Sequence, residues 1–204
     1  MPNIVTVSVS QQVASAPSML QQTGALISQG ATTLANGGTQ LLTQISDLTA
    51  ILKTPINIAS ISWSAGVVTV NTVSAHTIPT GQVVQGTIAG AAPSGYDGTF
   101  ACTGVTTTQF TYPLASNPGS ETNLGTFILA DVAMLTAMAT TYFGQGGNNG
   151  VYVLELGTGG TAAGVSSLST YLQNPSIKFY SYLFPSNWDT ETTCLLYTSP
   201  SPRD

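Results

Sequence analysis

The sequence predicts an α/β protein whose core is interrupted by an all-β sandwich or barrel module. Three observations carry this. Asp131–Leu156 (DVAMLTAMATTYFGQGGNNGVYVLEL) reads as a helix, a glycine-rich turn and a buried strand. A second helix and strand follow it, out to Phe184. Between Ile56 and Leu129, short β-rich runs alternate with turn signals roughly every ten residues, the spacing of a small antiparallel sandwich or barrel. The chain of 204 residues therefore divides into an arm and first core segment at 1–55, an inserted module at 56–129, and a second, partial core segment at 130–193. A tail at 194–204 stands apart.

Taken in order, Ile4–Ser10 (IVTVSVS) alternates, with Ile4 ahead of Val5, Val7 and Val9 on one face. This is a strand with one buried face. It could pair within its own sheet or add to the open edge of another chain. Gly24–Ser28 (GALIS) is a second strand, and Asn36-Gly37-Gly38 marks a turn. Leu41, Leu42, Ile45, Leu48 and Leu52 then fall at helical spacing, so an amphipathic helix is expected over Thr39–Leu52, stopped by Thr54-Pro55.

In the inserted module, Ser94-Gly95 and Asp97-Gly98 supply turns. Trp63, Tyr96, Phe100, Phe110 and Tyr112 give it the aromatic mass for a modest core. Beyond it, Val132, Leu135, Ala139 and Tyr142 recur at helical spacing, widened by Met134 and Met138. Asp131 stands where an N-cap or first-turn acid favours the helix. Gly144, Gly146, Gly147 and Gly150 end it. Val151–Leu156 is a nearly continuous apolar run, suited to a strand covered on both faces. A helix over Ala162–Leu172 ends at Asn174-Pro175, and Ile177–Phe184 reads as an aromatic-rich strand. Strand, helix, strand in that order predicts a right-handed crossover joining a parallel pair.

Composition excludes several functions. Charged residues make up 5% of the chain, against roughly 25% in ordinary globular proteins. So little charge weakens the repulsion between copies and leans towards assembly. The net charge is −5, with only Lys53, Lys178 and Arg203 as cations, so no basic nucleic-acid surface can be built. The first residues lack the pattern of a signal peptide. No apolar run approaches the roughly 18 residues that span a bilayer. Cys102 and Cys194 are too few for a disulfide scaffold or metal site.

Gly157-Thr158-Gly159-Gly160-Thr161-Ala162 matches G-x-G-x-x-A between a strand and a helix, the context of a dinucleotide-binding turn. That motif also needs an acid about 20 residues on, at the tip of the next strand. Ile177–Phe184 offers none, and Asp189 lies beyond it. A plain strand-to-helix turn is the better account. His76 is the only histidine and suits a turn or strand edge. Cys102 alternates with Phe100 as a small core residue. No catalytic, cofactor or metal residue is expected.

GALISQG, LLTQISDLTAIL, and MLTAMATTYFGQ leading to VYVLEL, within Thr23–Leu52 and Asp131–Asp189, resemble the N-terminal half of contractile phage tail sheath proteins. IKFYSYLFPSNWD also fits that family. The resemblance implies a virion protein assembled in the host cytoplasm. Its copies form stacked rings around a tail tube, in contact with baseplate proteins and without nucleic acid or membrane. It also implies that the strand of Ile4, Val5, Val7 and Val9 reaches a neighbouring subunit. The inserted run centred on Gly-Tyr-Asp-Gly-Thr-Phe resembles small β repeats of phage tail and fibre proteins, which makes Tyr96, Asp97 and Tyr112 candidate surface or glycan contacts. Cys194–Asp204 (CLLYTSPSPRD) resembles a translated sequencing adapter, so native sequence is expected to stop near Thr193.

Overall fold

A computed structural model describes residues 23–146 and 150–190. Ile4, Val5, Val7 and Val9, and the tail at 194–204, lie outside the described residues.

The core sheet opens with β1 (Gly24–Ser28). Its residues 25–28 are buried on both faces because the chain places a helix on each side. Next comes β2 (Thr39–Leu42), then a short helix α1 (Ile45–Thr49). The expected helix over Thr39–Leu52 is thus corrected to a strand and one helical turn. Leu41 and Leu42 suit either period. The antiparallel ladder from Thr39↔Leu154 to Leu42↔Val151 decides for strand. Asp47 then starts α1, its carboxylate accepting from the N–H and hydroxyl of Thr43, both at 2.8 Å. Those bonds hold the Asp47 carboxyl below the usual carboxylate range.

Six strands between Ile56 and Leu129 form a closed antiparallel barrel. They are β3 (Ile56–Ser64), β4 (Val67–Thr72), β5 (Val83–Ala92), β6 (Gly98–Gly104), β7 (Gln109–Pro113) and β8 (Asn123–Leu129). The order is β3-β4-β7-β6-β5-β8, and the ring closes where Ile56 of β3 faces Phe127 of β8. Closure removes the exposed edges an open sheet would leave. Alternate residues point inward, so Val68 and Val70 meet Phe110 and Tyr112 in the lumen. Gly86 is required there, since a Cβ would lie 2.3 Å from the Phe127 ring.

The chain then returns to the core as α2 (Ala130–Gly144), β9 (Val151–Glu155), α3 (Thr161–Gln173) and β10 (Ser181–Leu183). Asp131 stands in the first turn of α2, after the N-cap Leu129. The sheet order is β10-β1-β9-β2, with β10, β1 and β9 parallel. Two corrections follow. The strand expected over Ile177–Phe184 shrinks to Ser181–Leu183, because Ile177 and Phe179 turn into the α3 side of the core. The crossover through α3 also lands beyond β1 instead of beside β9, since β1 already fills that place.

Strand parity sorts the two sides. Val151, Val153 and Leu26 pack with Val132, Leu135 and Ala139 of α2. Ala25, Ile27, Leu154 and Leu156 pack with Leu168 and Tyr171 of α3 and with Trp188. Each fully buried Leu or Val contributes roughly 1.5–3 kcal/mol, so these two stripes hold the three layers together. No helix among the described residues is long and apolar enough to cross a membrane.

Candidate functional site

In a parallel sheet, the functional crevice lies beyond the carboxyl ends of the strands. Here β1 and β9 end side by side, with Ser28 opposite Glu155. Glu155 continues the parity of Val151 and Val153, which turns its side chain to the α2 side. It is 1% exposed, and its carboxylate is saturated by donors. Oε1 accepts from the N–H groups of Gly30 at 2.6 Å and Gly157 at 2.8 Å. Oε2 accepts from the hydroxyls of Ser28 at 2.6 Å and Thr32 at 2.7 Å, and from the Thr32 N–H at 3.1 Å. A buried carboxylate is tolerated where hydrogen bonds replace its hydration in this way.

The glycine-rich turn after β9 is closed by the protein's own groups. The Gly157 N–H, which a bound phosphate would need, is taken by Glu155. Gly30, at φ +90°, approaches so closely that a Cβ would lie 2.3 Å from the Thr158 hydroxyl. The Gln29 amide donates to the carbonyls of Gly159 and Gly160 and accepts from the Trp188 indole N–H at 2.9 Å. The turn from Gly157 to Ala162 therefore seats β1 and the segment around Trp188 on α3.

Two charged groups flank this hub. The ammonium of Lys53 donates to the hydroxyls of Thr77 at 3.0 Å and Thr158 at 3.3 Å. This ties the strand-to-barrel linker to the barrel and to the glycine turn. Burial lowers the Lys53 pKa, against the opposing pull of Glu155 and Asp131. Asp131 is 6% exposed and makes no hydrogen bond through its carboxyl among the described residues. Burial first, and the Glu155 charge second, push its pKa up to about 7, with Lys53 acting the other way. Asp131 lines a cleft of about 210 Å3 with Gly159 and Gly160.

The candidate contacts in the barrel are placed differently from the expectation. Tyr96 and Tyr112 are each 1% exposed. The Tyr96 hydroxyl donates to the Gly119 carbonyl at 2.9 Å and that of Tyr112 to the Tyr96 carbonyl at 3.4 Å, while the Tyr112 ring stacks on Phe100. Asp97 accepts from the Ala91 N–H at 2.8 Å and fixes the turn after β5. As surface or glycan contacts the two tyrosines are corrected: inward strand parity on β7 commits Tyr112 to the lumen, and the 3-10 turn Ser94–Tyr96 folds Tyr96 into the same core. Cys102 is fully buried and its thiol is pushed up to about 12 by burial. His76, expected at a turn or strand edge, lies in the β4–β5 connection but is buried. Its ring meets Phe110 edge-on at 5.4 Å, and its Nδ1 accepts from the Ile78 N–H. Among the described residues no group of three or more His, Cys, Asp or Glu side chains is placed to hold a metal.

Sequence reasoning missed Glu155, Lys53 and Gln29. The one available signal was an acid ending an otherwise apolar run. No protein family, curated protein or solved structure matches this chain.

Proposed function

We propose that the chain is a structural subunit of a contractile phage tail sheath, acting by self-assembly around a tail tube and against baseplate proteins, within the virion. The observation that carries the reading is the four-stranded sheet with β2 and β10 at its edges, each paired on one side only among the described residues. Exposed apolar side chains stand at those edges. Leu41 lies on β2, and Tyr180 and Leu183 lie at β10, 39%, 66% and 47% exposed. Such edges are templates for strands from other chains. A head-to-tail contact of this kind generates rings or filaments.

Further support comes from the two sequence stretches that resemble sheath proteins. They build one three-layer unit, Thr23–Leu52 supplying β1 and β2 and Asp131–Asp189 supplying β9, β10 and most of both long helices. The barrel is an outward decoration on that unit, entered and left at the neighbouring residues Ile56 and Phe127. The saturated Glu155 and the self-filled glycine turn support an assembly role over ligand chemistry at that crevice. Electron microscopy of the purified chain tests the proposal. Rings, tubes or short stacks are expected, and a field of monomer-sized particles at every concentration contradicts it.

A further inference from the structure

A cavity of about 330 Å3 lies where the barrel meets the core sheet. It falls within the roughly 300–1,000 Å3 of small-ligand pockets, which favour such junctions. Its apolar wall comes from Leu52, Ile56, Phe127, Ile128 and Leu129, the residues that carry the chain into and out of the barrel. Lys53 and Thr77 also line it, and the Thr77 hydroxyl is one of the two groups bound to the Lys53 ammonium.

That ammonium is partly buried and held only by hydroxyls. No carboxylate among the described residues lies within ion-pair distance of it. Glu155 and Asp131 favour its charge from a distance but neither touches it, and a cation partly withdrawn from water without a directly paired carboxylate is costly. Its two threonine partners use two of its three donors, which leaves one. A mostly apolar chamber whose wall carries one ammonium that no carboxylate touches is complementary to a small anion carrying an apolar tail. A nucleotide does not fit, because a single cation provides no phosphate cradle.

We propose that this junction cavity binds a medium-chain carboxylate, with its carboxylate on the Lys53 ammonium and its alkyl tail against Phe127, Ile128 and Leu129. The site is separate from the sheet edges on which assembly rests, so either proposal can fail without the other.

Equilibrium dialysis of the full chain against sodium octanoate, with 1-octanol in parallel, tests it. Dialysis reads binding whether the chain is a monomer or assembled. Octanoate is expected to bind saturably at about one per chain, at least tenfold more tightly than octanol. Lys53→Met should remove that preference and Lys53→Arg should keep most of it. Equal binding of the alcohol and the acid overturns the proposal. So does the absence of saturable octanoate binding below about 10 mM. Because the comparison of acid with alcohol is made on the unaltered chain, it stands even if Lys53→Met fails to fold.

Discussion

The Ser28 hydroxyl donates a 2.6 Å hydrogen bond to the Glu155 carboxylate across the parallel pair β1 and β9. These residues are 127 apart in sequence, and the barrel lies between them. The bond, with three others from Gly30 and Thr32 to the same carboxylate, joins the segment before the barrel to the segment after it.

Removing that carboxylate therefore unfastens the core. Glu155→Gln keeps the shape but turns an NH2 group towards donors that need an acceptor. The expected loss is on the order of 3–5 kcal/mol in urea unfolding. Ser28→Ala, which removes one of five donors, is expected to cost about 1–2 kcal/mol. A loss below about 1 kcal/mol for Glu155→Gln contradicts the role given to this group.

Asp131 gives the core a pH dependence of opposite sense to an ordinary paired acid. In the fold its carboxyl keeps its proton to about pH 7, whereas its ordinary value is 3.8. The fold binds that proton more tightly than the unfolded chain does. Its advantage is full at low pH, drains away as pH rises from near 4 to near 7, and stays lost above. Asp131→Asn is neutral throughout. Relative to the parent it should gain about 2–4 kcal/mol at pH 8 and little at pH 4. Thermal melts at the two pH values check this, and an equal effect at both contradicts it.

The barrel should fold by itself. Its first strand pairs with its last, through Ile56↔Phe127 and Asn57↔Thr126, so excision leaves no open edge. A fragment of residues 56–129 is expected to melt in one cooperative step, followed by Trp63 fluorescence. Gly86→Ala should lower that stability by about 1–3 kcal/mol, through collision with Phe127 and Cys102. A fragment without a cooperative transition contradicts the account.

Much of this architecture was legible in the sequence for a local reason. Gly24–Ser28, Ala130–Gly144 and the six barrel strands each carry their own period or apolar run, bounded by turn residues. Thr39–Leu42 was misread because its leucines satisfy a helical spacing, and only the distant β9 makes it a strand. Tyr96 and Tyr112 were read both as core and as surface, although Phe110 and Tyr112 share one strand parity and so one side. The Glu155 hub was not legible, because its donors come from Ser28–Thr32 and Gly157, brought together only by parallel pairing. The Lys53 bridge to Thr77 and Thr158 is likewise a product of the barrel's docking on the core.

Sedimentation velocity of the chain across a wide concentration range, beside Leu41→Lys/Leu183→Lys, tests self-association through the sheet edges most directly. Both altered residues are exposed, so the fold should tolerate the charges while the edges reject added strands. The parent is predicted to sediment as species that grow with concentration, and the variant as a monomer with the parent's melting behaviour. A parent that remains one sharp monomer at the highest concentration reached would contradict the account, as would a variant that associates as readily as the parent.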